Sequence, residues 1–567
     1  MKQNGQSNVR CGGSLRPLQR RMPGILLALF LFCSIPAAPL YCTPSSDKGY
    51  FDIVKSIDLF GEVYRQVSLN YVDTLNVSEL MYAGIDGMLR TLDPYTVFMD
   101  KNASEELDEL TSGQYAGIGI TIASIDGTIY VASVVDGYPA AKAGIRVGDS
   151  IAAVNGIEIK NKSLDEVKEL LKGPLGAALT LKIERQGASA FSAGITRAEV
   201  RVNSISYAGI IGEIGYIEMK SFGARSGDEL REAFQGVLQE ARAKRLPLKG
   251  VILDLRNNPG GLLNAAVDVS SLFVRKGSDV VSIRGRLKES AKSYVTVTSP
   301  INVTIPLAVL INSQSASAAE IVSGAFQDLD RGVIIGERSY GKGLVQSVIA
   351  LSYDNTLKLT TAKYYTPSGR LIQKDAPSVH EPRKVLPDTH ADKLSTVFYT
   401  KRKRKVYGGG GITPDIELPE KAAPPYLTEL RKKGMLFLFS ASYRSLNPVM
   451  PQQPFDRKVL MASFGEFLRN RKFTYTSLSE QRIKELKESL KGGELNIYDE
   501  LQRTAERLKE KEIAQESDGV AEALEIEILR HYDRRLAQNG ELAIDPVVKK
   551  AVEVLSDSHQ YSRVLNH

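Results

Sequence analysis

Cysteine is nearly missing from this 567-residue chain: Cys11, Cys33 and Cys42 are the full complement. All three precede the first acidic residue, Asp47, so the folded part has neither a disulfide framework nor a thiol nucleophile. Histidine is almost as scarce. His380 and His390 sit in a polar stretch, and His531, His559 and His567 sit in a charged C-terminal region. None falls where strands and helices alternate, so a Ser-His-Asp triad has no obvious base. Long hydrophobic runs are lacking too. The run Gly24 to Ile35 is shorter than the ~20 apolar residues that span a bilayer. Excess charge is also absent. The net charge is +7, and the five basic residues ahead of any acid (Lys2, Arg10, Arg16, Arg20, Arg21) bring it to +2 when set aside. Nucleic-acid binding therefore has no electrostatic support.

What is there begins with a secretion signal. Arg16 to Arg21 form a positive flank before the apolar run, and Pro36-Ala37-Ala38-Pro39 supplies small residues without a clean A-x-A site. Residues 1–45 are expected to be a signal peptide, with an uncleaved inner-membrane anchor as the alternative. Leu40-Tyr41 before Cys42 fits a lipidation site badly. The length implies roughly three or four domains.

Residues 50–112 read as an N-terminal helical segment. Phe51, Val54, Ile57, Phe60, Val63 and Tyr64 recur at helical spacing. Asn76 and Glu79 stand at capping-box spacing for a second helix through Met88, and Leu92-Asp93-Pro94-Tyr95 ends it. Residues 113–190 form a β-rich unit, with strands at Ile129 to Val134 and Leu179 to Glu184 and an amphipathic helix at Leu164 to Leu171. This order of elements resembles a PDZ domain. The resemblance implies that Gly117, Ile118, Gly119 and Ile120 bind a peptide C-terminus through backbone N–H groups.

Residues 200–420 alternate strand and helix, which predicts an α/β domain. Val251 to Leu255 and Leu307 to Ile311 are continuous apolar strands of the kind buried on both faces. A polar insertion, 374–407, contains the basic run Lys401 to Lys405, read as a solvated loop. Residues 421–567 are read as a helical extension, available to an oligomer contact or an adaptor.

The chemistry concentrates at Ser317 and Lys342. Ser317 lies in Ser315-Ala316-Ser317-Ala318-Ala319-Glu320, a small-residue turn after an apolar strand, and Lys342 lies in Tyr340-Gly341-Lys342-Gly343. Alone, Ser317 is as well explained as a helix N-cap, and Lys342 as a surface lysine in a glycine turn. Gly336 to Gly343 nearly matches a phosphate loop, but Gly343 lacks the hydroxyl for Mg²⁺ and a strand-like run follows instead of a helix. Ser339-Tyr340-Gly341-Lys342 matches S-x-x-K literally. Its glycines oppose the required helix, and no Lys-Thr-Gly companion exists. The remaining reading pairs Ser317 with Lys342 as a base made neutral by burial.

Several ordered motifs then resemble the C-terminal processing peptidase (tail-specific protease) family across residues 50–420. They are Leu92-Asp93-Pro94, the loop Arg256-Asn257-Asn258-Pro259-Gly260-Gly261, the Ser317 turn, Gln327-Asp328, Gly341 to Gln346, Tyr365 to Arg370 and Gly411 to Asp415. The resemblance implies a multidomain α/β (mixed α+β) chain. A PDZ domain precedes a ClpP/crotonase-like serine peptidase domain, with helical segments at both ends. It implies Ser317 as nucleophile, Lys342 as base and Gln346 orienting the lysine. An oxyanion hole would come from Ala318 with Gly260 or Gly261. Asp328 belongs to the motif and reads as structural, while Glu320 is left between capping and pairing. No metal or cofactor is implied, and the partners are unfolded or C-terminally exposed protein substrates at the cell envelope or periplasm. Gln314 stands where the family usually has glycine, and Ala319 replaces a common serine. A PDZ adaptor with a degenerate peptidase domain is the competing class, and the intact Ser317, Lys342 and Gln346 set argues against it.

Overall fold

The computed structural model describes residues 47–374, 396–419, 423–489 and 495–566. The expected signal, residues 1–45, and most of the insertion lie outside the described residues. No described helix is long and apolar enough to cross a membrane. The N-terminal helices run Asp47–Asn70 and Val77–Leu89. Asn76 caps the second: its Oδ1 accepts the Ser78 N–H at 3.1 Å, and its own amide donates to Glu79 Oε1 at 2.9 Å. The expected capping pair is therefore present, with a side-chain amide in place of the backbone N–H.

The peptidase sheet has six strands in the order Ile205–Ile211, Ile214–Met219, Gly250–Asp254, Leu307–Ile311, Val333–Gly336 and Ile416–Glu417. The first pair is antiparallel and the rest are parallel. Alternation divides each strand between two cores. Ile217, Met219, Val251, Leu253, Leu307, Val309 and Ile334 pack under the helices Ser226–Ala243, Leu263–Ser271 and Ala318–Asp328. Ile214, Tyr216, Ile252, Ala308, Leu310, Val333 and Ile335 face the other way.

What covers that second face changes the expected domain plan. The helix Pro546–Ser556 lays Val547, Val548, Ala551, Val554 and Leu555 against it. Tyr561 adds its hydroxyl to Leu307, whose N–H donates to it at 3.0 Å. The last part of the 421–567 region is thus half of the peptidase core. A parallel sheet needs cover on both faces, and here one cover arrives more than two hundred residues after the first five of its strands. The apolar stripe of this helix is consumed within the chain. The preceding helices Pro425–Lys432, Met435–Leu446, Arg457–Asn470 and Leu495–Arg530 form a core of their own around Leu430, Phe439, Phe464 and Leu524.

The basic run is exposed as expected at Lys401, Arg402, Lys403 and Lys405, and departs from expectation at one residue. Lys401 to Lys405 lies in a hairpin of Val397–Tyr399 and Lys405–Tyr407. Arg404 is buried, not solvated, and bridges Asp330 at 2.7 Å and Asp415 at 2.5 Å. Charge density in a sequence does not reveal a carboxylate supplied from elsewhere. A second sheet joins Val97–Met99, Thr356–Tyr365, Asp279–Gly285 and Lys292–Val295, with Leu344–Ala350 also paired to Thr356–Tyr365. The β-rich unit has the strand order Ile120–Ile125, Thr128–Val134, Ser150–Val154, Ala178–Glu184, Phe191–Thr196.

Candidate active site

Two loops at the carboxyl ends of adjacent parallel strands are stitched together by asparagines. The Asn257 N–H donates to Asn312 Oδ1 at 2.9 Å, and the Asn312 amide returns to Asn257 Oδ1 at 2.9 Å. Ser315 Oγ donates to the Leu255 carbonyl at 2.8 Å, and the Ala316 N–H donates to the Asn258 carbonyl at 3.0 Å. This lattice holds Ser317 at φ 53° and ψ −112°, left-handed territory that costs a residue with a Cβ roughly 1–3 kcal/mol. Ser317 does occupy an N-cap position. Its N–H donates to Glu320 Oε2 at 2.8 Å, and the helix that follows is buried along its whole length.

Glu320 then reaches the other half of the site. The same Oε2 accepts the Lys342 N–H at 2.9 Å. Oε1 accepts the Gly341 N–H at 2.7 Å and the Ser339 hydroxyl at 2.6 Å. Burial pushes this carboxyl's pKa up while the four donors pull against it. One carboxylate therefore fixes the backbones of Ser317 and Lys342 together. Tyr364 adds a second bridge: its hydroxyl donates to the Lys342 carbonyl and is hydrogen-bonded to the Ser317 side chain. The Lys342 amine lies over the Tyr95 ring, 4.7 Å from its centroid. Burial, followed by repulsion from Lys358, lowers its pKa to about 8.

The other expected residues are placed unevenly. Gly260 has φ +97°, and a Cβ there would stand 2.8 Å from both Ala318 N and Ser317 Cβ, so glycine is what lets the two loops close. Its N–H, however, is committed to Asn258 Oδ1 at 2.8 Å. The neighbouring Gly261 is bridged to Phe222 through the flanking Gly260 carbonyl and Leu262 N–H, which leaves its own N–H outside that pairing. The role expected of Gln346 needs it on the same strand face as Lys342. Lys342 precedes the strand, and the register shifts between Val345 and Gln346, so alternation does not carry across. The Gln346 amide meets Thr360 Oγ1 at 3.4 Å instead. Asp328 is structural as read, paired with Arg370 at 2.8 Å in the core. Tyr95 and Tyr364 were missed. The first reads only as part of a helix-ending turn, and the second carries no signal beyond a neighbourhood rich in strand-forming residues.

Family models match in a single order. The activating protease CtpB N-terminal domain covers residues 44–103, and a PDZ domain covers 130–185. Peptidase family S41 covers 213–391, and the C-terminal helical domain of a probable PDZ-protease covers 426–555. A carboxy-terminal-processing protease of Bartonella bacilliformis is 36% identical over 355 residues, which is 62% of this chain and 80% of that one. The chain belongs to the carboxy-terminal-processing protease family. The carboxy-terminal processing protease CtpA of Bacillus subtilis is 33% identical over 56% of this chain and 66% of its own length. Among solved structures, a photosystem II D1 C-terminal processing protease is 27% identical, covering 64% of this chain and 92% of that one, with a TM-score of 0.32. This family member is a serine-type peptidase that carries a PDZ domain.

In this protease the loop expected to take a peptide C-terminus leads into the sheet of the β-rich unit. Gly117 ends the strand Gln114–Gly117, Ile118 is buried, Gly119 has φ +79° and Ile120 opens the next strand. The Gly119 carbonyl accepts the Val135 N–H and the Ile118 carbonyl accepts the Ala140 N–H, which draws the loop onto the helix Pro139–Lys142. Among the described residues Ile120–Ile125 is a terminal strand of its sheet, so one edge stays free for an added strand. A cavity of about 1310 Å³ lies away from Ser317, between the PDZ unit and the C-terminal helices. It marks the joint between those parts.

Proposed function

We propose that this protease is an extracytoplasmic endopeptidase that captures an exposed apolar C-terminal tail and cleaves by a serine–lysine dyad. The observation that carries the reading is the single buried Glu320 carboxylate holding the Ser317 and Lys342 backbones, beside an amine whose pKa lies at about 8. At pH 7 such an amine is neutral in roughly one molecule in ten, whereas an ordinary lysine is neutral in fewer than one in a thousand. Burial therefore supplies a base without histidine.

Ser317 Oγ attacks the scissile carbonyl carbon as the Lys342 amine takes the hydroxyl proton. The oxyanion is held by the N–H groups of Ala318 and Gly261, with Gly260 providing the close approach. Collapse breaks the C–N bond, the ammonium returns its proton to the leaving amine, and an ester remains on Ser317. Water then attacks the ester and passes a proton to Lys342, which returns it to Ser317 Oγ as the C–O bond breaks and the acid leaves. Gln346 is the residue on this strand able to steady the lysine once substrate fills the site. The edge at Ile120–Ile125 takes the tail as an added strand, with Gly117 to Ile120 at its carboxylate. Secretion to the periplasm, by signal or anchor, rests on the N-terminal sequence. Fractionation with the bulk of the protein in the cytoplasm would remove it.

The test is cleavage of an unfolded protein bearing an apolar C-terminal tail, with its tail-amidated form as comparator. Ser317→Ala and Lys342→Ala are expected to be equally inert, because residues that act as a unit fail together. Near-wild-type cleavage by Lys342→Ala would sink the dyad. Equal cleavage of free and amidated tails would sink the PDZ capture.

A further inference from the structure

The base is walled by a residue from outside the peptidase sheet and outside the span matched by the peptidase family. Among the described residues the Lys342 amine meets no carboxylate within ion-pair distance and no hydrogen-bond acceptor. It lies over the face of the Tyr95 ring, 4.7 Å from its centroid. That ring is held firmly. Asp93 Oδ1 accepts the N–H of Tyr95 at 2.8 Å and of Thr96 at 2.9 Å, and Oδ2 accepts the Thr96 hydroxyl at 2.9 Å. The Thr360 N–H donates to Thr96 Oγ1 at 3.1 Å, and Val97–Met99 pairs with Thr356 to Lys358. The Tyr95 phenol is hydrogen-bonded to Tyr340, two residues before the lysine. The turn is thus pinned to the strand beside the base at one end and to the base's own loop at the other.

We propose that Tyr95 is a positioning residue for the general base, its ring forming the apolar wall that keeps water from the Lys342 amine. This deepens the dyad reading and rests on it. Two effects of the ring oppose each other. Excluding water favours the neutral amine, whereas the negative ring face favours the ammonium. The charged groups facing the amine are also mixed: Lys358 from the neighbouring strand disfavours the ammonium, while Glu320 from the nucleophile helix and Asp93 from the turn favour it. Burial pushes the Tyr364 phenol's pKa up, so it adds no charge beside the amine. Desolvation by burial is the largest influence on the amine, and the Tyr95 ring is one of the surfaces that buries it.

The experiment is the pH dependence of kcat/KM for the full-length chain and three variants, since that profile reports the free enzyme's base. Tyr95→Phe and Tyr95→Leu both keep an apolar wall. They are expected to leave the rising limb within about half a unit of wild type, or to move it down for Leu as the ring face is lost. Tyr95→Ala admits water and is expected to raise the limb by about one unit, a tenfold loss of neutral amine at pH 7 that recovers at high pH. A uniform fall in Tyr95→Ala with the limb unmoved would make the ring merely structural and overturn the proposal. So would a Tyr95→Leu limb raised as far as that of Tyr95→Ala. If Tyr95→Ala does not fold, a Tyr95→Leu limb raised above that of Tyr95→Phe by a full unit overturns it equally. Failure of the dyad itself reads out differently, as activity retained in Lys342→Ala.

Discussion

The two halves of the site are built by opposite means. The nucleophile half is a strand, Leu307–Ile311, and a helix, Ala318–Asp328, in which every residue is buried. The base half is a glycine loop leading into Leu344–Ala350, a strand with no buried residue that ends with Val348 and Ile349 exposed. Ser317 is held by its own core. Lys342 is held by capture, through Glu320, Tyr364, Tyr95 and the Gln373 side chain that accepts the Gly343 N–H at 2.9 Å. A core-built residue resists displacement but ties activity to stability. A captured residue can lose its geometry while the fold survives.

The comparison breaks first at Glu320, the carboxylate that both halves share. Glu320→Ala orphans four donors, at about 1–3 kcal/mol each when buried and unmet. Failure to accumulate folded protein is the expected result. Glu320→Gln keeps one acceptor oxygen and turns an amide against two donors. Urea unfolding should show a loss of roughly 2–6 kcal/mol, with cleavage reduced at least about a hundredfold per folded molecule. A stable and active Glu320→Gln would mean that the two halves are not joined through this carboxylate.

Paired glycine substitutions sharpen the contrast next. Gly341 in the base half has φ +89°, and a Cβ there would stand 3.1 Å from the Gly411 nitrogen and 2.9 Å from Lys374 Cβ. Gly341→Ala should cost about 1–3 kcal/mol locally and lower cleavage about 10- to 100-fold as Lys342 shifts. Gly324 lies within the nucleophile helix, where a Cβ would meet Thr366 Cγ2 at 2.9 Å and Ile412 Cδ1 at 3.0 Å. Gly324→Ala should cost about 1–3 kcal/mol through overpacking, with cleavage per folded molecule nearly unchanged. Thermal melts beside active-site titration separate the two. If both variants lose stability and activity in the same proportion, the halves are one unit and the distinction fails.

The same contrast explains what the sequence could disclose. The nucleophile half was legible because its signals are local. An apolar strand, a small-residue turn and a helix stand in one stretch, and Leu307–Ile311 was read to the residue. The base was legible as Lys342 by its glycines and by the lack of histidine, but not its surroundings. Tyr95 and Tyr364 stand 247 residues before and 22 residues after it, and nothing at position 95 announces an amine as neighbour. The helix Pro546–Ser556 makes the same point for the core, since an apolar stripe declares a buried face and not what buries it. The setting of Gln346 is hidden for a different reason. Alternation is a sound rule for regular strands, and a register shift is invisible in residue types.

Gln346 therefore sets the smallest expected effect. Its amide meets Thr360 at 3.4 Å, a long bond whose loss should cost well under about 1 kcal/mol. With no contact to the lysine in this state, Gln346→Ala should lower kcat only about two- to tenfold, with KM unchanged. That outcome would leave the base captured by Glu320, Tyr364 and Tyr95 alone. A loss as large as that of Lys342→Ala would instead mean that the amide leaves Thr360 for the amine once substrate fills the cleft. Thr360→Val separates these cases. If Thr360 merely stores the amide, freeing it should raise kcat or leave it unchanged. If Thr360 holds Gln346 where it works, the same substitution should reproduce the Gln346→Ala loss. A strand with no buried residue can afford such a swing; the helix that carries Ser317 cannot, because every side chain on it is packed.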